Sequence, residues 1–202
     1  TGAAGKKLTF KVPRRKISDF GPAHSSDGGR TWRWLYDRAQ ANDSTFTYSF
    51  GNDQNEVRFS IGMAYLEEDF HRFIKAFNPN PNLTIGSLTT SNKGRNVEKL
   101  LIHNPEKPVK YKVLITARHH ACEMMASYVL EGLITSILTE SGKNMAWLRD
   151  NVEFFIVPFV DKDGVQDGDQ GKNRKPRDHN DSVTPDRIET DPRLIRMVQG
   201  LM

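Results

Sequence analysis

The stretch Ala117–Met125 reads ARHHACEMM and places two histidines, a cysteine and a glutamate within five consecutive positions. Imidazole, thiolate and carboxylate groups bind divalent transition metals. A hydrolytic zinc site commonly combines two histidines and one glutamate with water in the fourth position. His120 and Glu123, three residues apart, can supply two of those ligands. His119 competes with His120, since it stands four residues before Glu123. Cys122 is a further candidate, although a lone cysteine that reads as buried more often packs as a small hydrophobe. A plainer reading is also open: glutamate near a helix start offsets the positive end of the helix dipole, metal or no metal.

A second polar constellation begins at Val157 as VPFVDKDGVQDGDQGKNRKPRDHNDS. Its alternating aspartates resemble a calcium loop only loosely. An EF-hand needs an oxygen side chain at its fifth position and glycine at its sixth. Counted from Asp161, those positions hold Val165 and Gln166. Arg174, Arg177, His179 and Asn180 instead suit the binding of a carboxylate or a developing oxyanion, and a solvated basic loop is the alternative.

The elements that must position these groups follow from periodicity. YKVLITAR, just before the histidines, and VEFFIVPFV, just before the second constellation, are continuous apolar runs. Such runs mark strands of an α/β sheet covered on both faces. From Glu123 onward, MMASYVLEGLITSIL reads as a helix that is apolar nearly all round, and hence buried, ending at Ser141-Gly142. His120 and Glu123 thus straddle a strand-to-helix join, at the end of an open sheet where ligands tend to bind. The first helical turn is expected to aim the Glu123 carboxylate back at His120.

Upstream, Phe70, Phe73, Ile74 and Phe77 have helical spacing, and Asn78-Pro79-Asn80-Pro81 stops that helix. LTIGSLTT and VEKLLIHN read as strands separated by the turn Asn92-Lys93-Gly94-Arg95. Residues 1–62 read as a separate β region. There FTYSF and VRFSIGMAY, flanking GNDQNE, are expected to form a hairpin, and Trp32 and Trp34 suit an edge strand. At the other end, Asp191 reads as an N-cap, and Leu194, Ile195, Val198 and Leu201 mark one more helical face. The sequence opens Thr-Gly-Ala-Ala and closes on a helical pattern at Met202, which reads as a piece of a longer protein.

Composition narrows the class. A chain of 202 residues suits one domain with an accessory piece, and no apolar run reaches the length needed to span a bilayer. The net charge of +4 permits an acidic partner without demanding one; no nucleic-acid or membrane partner is expected. A single cysteine excludes an internal disulfide and fits a reducing compartment such as the cytoplasm.

Taken together and in order, the two constellations resemble the zinc carboxypeptidase family. His120-Ala121-Cys122-Glu123 matches the family's His-Ala-x-Glu after a buried strand. Pro158, Asp163, Gly164 and Val165 match its Pro-x-x-Asn-Pro-Asp-Gly-Val. Asn173-Arg174 and Asp178-His179-Asn180 correspond to its arginine loop and its Asp-x-Asn-Arg element. The β region followed by helix and Lys93-Gly94-Arg95 is similar to the cytosolic carboxypeptidase branch, which carries a β-sandwich before its catalytic domain.

The resemblance implies an α/β fold: a mixed, mostly parallel sheet flanked by helices over residues 63–202, preceded by the end of a β-sandwich over residues 1–62. It implies a metallocarboxypeptidase that hydrolyses C-terminal peptide bonds with metal-activated water. His120 and Glu123 would hold zinc, Arg174 would stabilise the oxyanion, and Asn180, with Arg177, would bind the substrate carboxylate. The substrate would be a peptide or protein C-terminal tail, acidic tails included. Two departures stand out. Asp181 takes the place of the expected arginine, which leaves Arg177 or Arg187 to replace it and admits a zinc amidase acting on small N-acyl amino acids. No histidine follows His179, and His24, His71 and His103 lie upstream without matching context, so a third ligand and the general base are expected beyond Met202. The fragment alone is expected to be inactive, and an inactive binding module is the remaining alternative.

Overall fold

The computed structural model describes residues 2–12, 17, 20–36 and 44–171. The chain divides into two compact units, Thr1–Ala64 and Tyr65–Met202.

The first unit is built of β1 (Lys7–Lys11), β2 (Ala23–Ser25), β3 (Arg33–Trp34), β4 (Thr45–Ser49) and β5 (Arg58–Ser60). β1 pairs with β4, and β2 lies between β3 and β5, all antiparallel. The expected hairpin between FTYSF and VRFSIGMAY does not form: β4 and β5 belong to different sheets. Its cause is aromatic packing. Phe10 and Phe46, cross-strand partners in register, stack at 4.9 Å, and Phe59 of β5 meets them at 5.1 and 4.9 Å. Facing sheets pack all three rings together around the buried Phe46, whereas a hairpin would set Phe46 and Phe59 side by side in one sheet. Trp34 does lie on an edge strand, β3.

The second unit runs α1 (Glu67–Lys75), β6 (Leu83–Thr90), β7 (Asn96–Ile102), β8 (Tyr111–Thr116), α2 (Met125–Thr139), α3 (Lys143–Asn151), β9 (Val152–Val157) and α4 (Lys162–Asp167). The sheet order is β6-β7-β9-β8. β6–β7 and β7–β9 are antiparallel and only β8–β9 is parallel, so the described sheet is mixed rather than mostly parallel. The parallel pair is the one joined by helices, α2 and α3, as a crossover requires. β9 is buried on both faces, as its apolar run indicates. Phe154 and Ile156 enter the core with Leu100, Ile102, Ile134 and Ile137, and Phe155 and Val157 pack with Val97 and Val160 behind it.

Two helices depart from expectation. α3, absent from the sequence reading, has only Asn151 buried, so its periodic signal is faint. α2 is not buried all round: Leu130, Ile134, Ile137 and Leu138 face the core, whereas Met125, Val129 and Leu133 are exposed. Spacing of i, i+4, i+8 puts these last three on one outward stripe. Among the described residues, no helix is long and apolar enough to cross a membrane.

Candidate metal centre

β8 and β9 run in register from Tyr111↔Val152 to Thr116↔Val157, and the pairing outlasts the strands. Ala117 N–H donates to Val157 O, Val160 N–H to Ala117 O, and Asp161 N–H to Arg118 O. Both chain segments therefore leave the sheet zipped together, and both constellations emerge at the same end. Arg118 adopts a left-handed backbone (φ 59°), which turns the chain sharply out of the strand direction.

The turn Ala117–Met124 follows. His120 is buried, and its Nδ1 lies 2.9 Å from Glu123 Oε1. The Glu123 side chain is 49% exposed, so the pair is walled on the histidine side and open on the carboxylate side. Glu123 stands just before α2 rather than in its first turn; Ala126 N–H donates back to Glu123 O in a tightened lead-in to the helix. Zinc bonds of about 2.0–2.2 Å at tetrahedral angles separate two ligand atoms by roughly 3.4 Å. The observed pair is about half an ångström closer, within reach of a small χ adjustment. One neutral imidazole nitrogen and one carboxylate oxygen, with an open side for further ligands, fit a zinc ion.

Of the neighbouring candidates, His119 has another side-chain partner. His119 Nε2 is 2.8 Å from Thr116 Oγ1. Cys122 is half-buried, and its backbone N–H donates to Gln170 O.

A third strand of support comes from beyond β9. The stretch read as a poor calcium loop is largely helical: Asp161 caps α4 by accepting from Gly164 N–H at 3.1 Å, and Gly168 closes it in the left-handed region at φ 72°. Its aspartates serve as anchors. Asp163 accepts from Ser91 Oγ (2.8 Å), Lys93 N (3.1 Å) and Arg95 Nη1 (2.9 Å), and Asp167 accepts from Arg95 Nη2 (3.0 Å) and Lys93 Nζ. Burial works against ionising Asp163, but the Ser91 and Arg95 bonds outweigh it and hold the carboxyl below its usual range. The turn between β6 and β7 thereby fixes α4. The chain then returns through Gly171 onto the His120 turn. A Cβ on Gly171 would stand 2.4 Å from Ala121 N and 3.1 Å from Asp161 Oδ2, and its φ is 87°. Only glycine permits that approach.

A second cluster of metal-type donors lies on α1 and β7. Glu67, His71 and Glu98 each offer an atom within 4.8 Å of the others, which makes them a candidate triad by donor type. Lys162, fully buried, reaches into it: Nζ lies 2.9 and 2.8 Å from the two Glu98 oxygens and 2.8 Å from Glu67 Oε1. Those contacts use all three ammonium donors. His71 Nε2 bonds Glu98 Oε1 at 2.8 Å, and Gln166 donates to Glu67. Here a cation is already part of the chain. The resemblance puts proline where Lys162 stands, and that substitution was the sequence signal for this cluster.

Of the residues singled out in the sequence, His120 and Glu123 are brought together. Arg174, Arg177, Asn180, His179, Asp181 and the segment 191–201 lie outside the described residues. His24 lies on β2 of the first unit, and His103 lies just after β7.

The family model described as zinc carboxypeptidase matches residues 70–192, and the chain belongs to that family of zinc-dependent metallopeptidases, which are hydrolases. It is 28% identical over 187 residues to cytosolic carboxypeptidase 2 of Xenopus tropicalis, covering 88% of this chain and 18% of that one. It is 35% identical over 113 residues to human cytosolic carboxypeptidase 4, covering 56% of this chain and 9% of that one. Among solved structures, it resembles a metallo-carboxypeptidase from Burkholderia cenocepacia with a TM-score of 0.77 at 24% identity, over 99% of this chain and 55% of that one. The metallo-carboxypeptidase from Pseudomonas aeruginosa gives 0.73 at 22% identity, over 98% of this chain and 54% of that one. The chain spans less than a fifth of these curated relatives and about half of these solved structures.

Proposed function

We propose that this chain carries the first part of a metallocarboxypeptidase catalytic domain, in which His120 and Glu123 are two of the zinc ligands. The observation behind the reading is the His120 Nδ1–Glu123 Oε1 pair, 2.9 Å apart at the end of the parallel strand pair, in a chain of a zinc-dependent family. Zinc bound there supplies a Lewis acid that makes water nucleophilic at neutral pH. The chain's own contribution is to hold the donors on a rigid turn and to present a partly open carboxylate. By resemblance, Arg174 stabilises the developing oxyanion, and Asn180 with Arg177 receives the substrate's terminal carboxylate. Residues 1–62 are the end of an accessory β-sandwich, and residues 63–202 belong to the catalytic domain. The third ligand and the general base come from sequence outside these 202 residues, which fits the half-length match to the solved carboxypeptidases. The substrate is a peptide or protein tail in the cytoplasm, and the basic net charge is compatible with an acidic one.

A second reading keeps the fold and zinc but changes the substrate. Asp181, where the family pattern has arginine, would repel a free carboxylate and favours a small N-acyl amino acid amide. One experiment addresses both: zinc content and hydrolysis by the full-length protein, on acidic-tailed peptides and on N-acyl amino acids, beside His120→Ala. Stoichiometric zinc and tail cleavage, both lost in His120→Ala, are the expected result. Cleavage of the small amides alone selects the second reading. Zinc content indifferent to His120→Ala overturns both and leaves a binding module.

A further inference from the structure

Arg118 is the least expected charge in the second unit. It is 3% exposed, immediately precedes the histidine pair, and sits in a backbone conformation that a residue with a Cβ rarely adopts. Among the described residues, every hydrogen bond of its guanidinium goes to a neutral oxygen. Nε and Nη2 both donate to Ala121 O, and Nη1 donates to Tyr65 O and to Ser127 Oγ, each at 3.0 Å. The guanidinium carbon lies 5.8 Å from the centre of the Phe159 ring. Burying a cation among neutral acceptors is costly, so a hydrophobic residue would serve packing better. The charge must be retained for something its geometry provides.

That geometry encloses the metal turn. The side chain of residue 118 grips the carbonyl of residue 121, so His119 and His120 are held within a closed loop. The same guanidinium reaches Ser127 on α2, the helix that Glu123 leads into, and the backbone of Tyr65 ahead of α1. One planar, rigid group therefore ties the histidine side of the turn to the helix on the carboxylate side. Lysine, with a single flexible point charge, cannot make these four bonds in one plane.

We propose that Arg118 is the positioning residue of the metal turn, whose guanidinium fixes the spacing of His120 Nδ1 and Glu123 Oε1. The proposal rests on the zinc reading of those two residues. In this role Arg118 acts through the turn, by its bonds to Ala121, Tyr65 and Ser127.

The test is zinc affinity of the full-length protein, measured by competition with a chromophoric chelator, alongside thermal melting of the metal-free form. Arg118→Gly removes the guanidinium and suits the left-handed backbone. Arg118→Lys keeps the charge and loses the planar fork. Both are expected to weaken zinc binding by about 10–100-fold, the usual effect of removing a group that orients a metal ligand. Millimolar ethylguanidinium is expected to restore affinity to Arg118→Gly and to leave Arg118→Lys unchanged. Zinc affinity within twofold of wild type in either folded variant overturns the proposal. So does a loss in Arg118→Gly that ethylguanidinium fails to restore, because a merely structural role gives that pattern. If Arg118→Gly does not fold, Arg118→Lys decides alone, with weakened zinc binding in a protein of near-native melting supporting the proposal. His120→Ala keeps the two readings apart: zinc indifferent to His120 removes the zinc assignment itself, whereas zinc dependent on His120 but not on Arg118 removes only this inference.

Discussion

Two clusters in the second unit carry metal-type donors, and they differ in what balances their charge. Glu67, His71 and Glu98 have more donors, yet Lys162 fills the space between the carboxylates and spends all its hydrogens there. His120 and Glu123 are only a pair, but Glu123 is half-exposed and the pair opens outward. Donor count ranks the first cluster higher. Occupancy ranks the second, because Lys162 Nζ already takes the carboxylate oxygens that a metal would need in the first. The first cluster is an ion network around the buried Glu98 and Lys162 that ties α1, β7 and α4 together, and the second is the catalytic candidate.

The largest effect expected from this contrast is on stability. Lys162→Ala leaves two carboxylates facing each other without their cation and should destabilise the fold by about 3–5 kcal/mol. Urea melts of the full-length protein measure it. Zinc stoichiometry of the wild type should not change with Glu98→Gln; if it falls, the triad takes part in metal binding and the comparison breaks.

Gly171→Ala probes the other side. With φ 87° and a Cβ 2.4 Å from Ala121 N, the alanine must push the returning chain off the His120 turn. A loss of about 2 kcal/mol is expected, accompanied by weaker zinc binding, whereas Gly94→Ala, with open space around its Cβ, should leave zinc unaffected. Equal zinc affinity in both variants would show that the brace does not matter to the metal turn.

The smallest effect concerns acid. Asp163 is held below its usual range mainly by bonds that overcome its burial, and Asp167 by bonds from Lys93 and Arg95. A depressed carboxylate contributes stability that is fully present above its unfolded value, about 3.9, and is lost as pH falls through the lower folded value. Melting temperature should therefore be flat in this respect above about pH 5 and decline below about pH 4. Asp163→Asn should flatten part of that decline while lowering stability at pH 7 by about 1 kcal/mol. An unchanged acid limb would remove the α4 anchor from the account of how the site is held.

Local signals were strong where one residue's neighbours in sequence are also its neighbours in space. The apolar run at 152–160 announced a covered strand and that at 111–118 a strand whose Tyr111 and Leu114 stay exposed at the edge of the described sheet, and the spacing of Phe70 and Ile74 announced α1. His120 and Glu123 were readable because only two residues of chain lie between them. Glu98 was not: a lone carboxylate in VEKLLI looks like the solvated face of a strand until Lys162, 64 residues later, is seen beneath it. The hairpin expectation failed for the same reason. Local alternation favoured pairing β4 with β5, and the contact of Phe59 with Phe10 and Phe46 drew them into opposing sheets.

By itself, then, the sequence determined the family, the α/β character of the second unit and the candidate donor pair His120 and Glu123, since periodicity and short motifs are properties of adjacent residues. Only the tertiary structure decided which carboxylates were already neutralised, why residue 171 must be glycine, and why a buried arginine stands beside His120. Those depend on groups that meet through space, and spacing along the chain does not encode the distance between them.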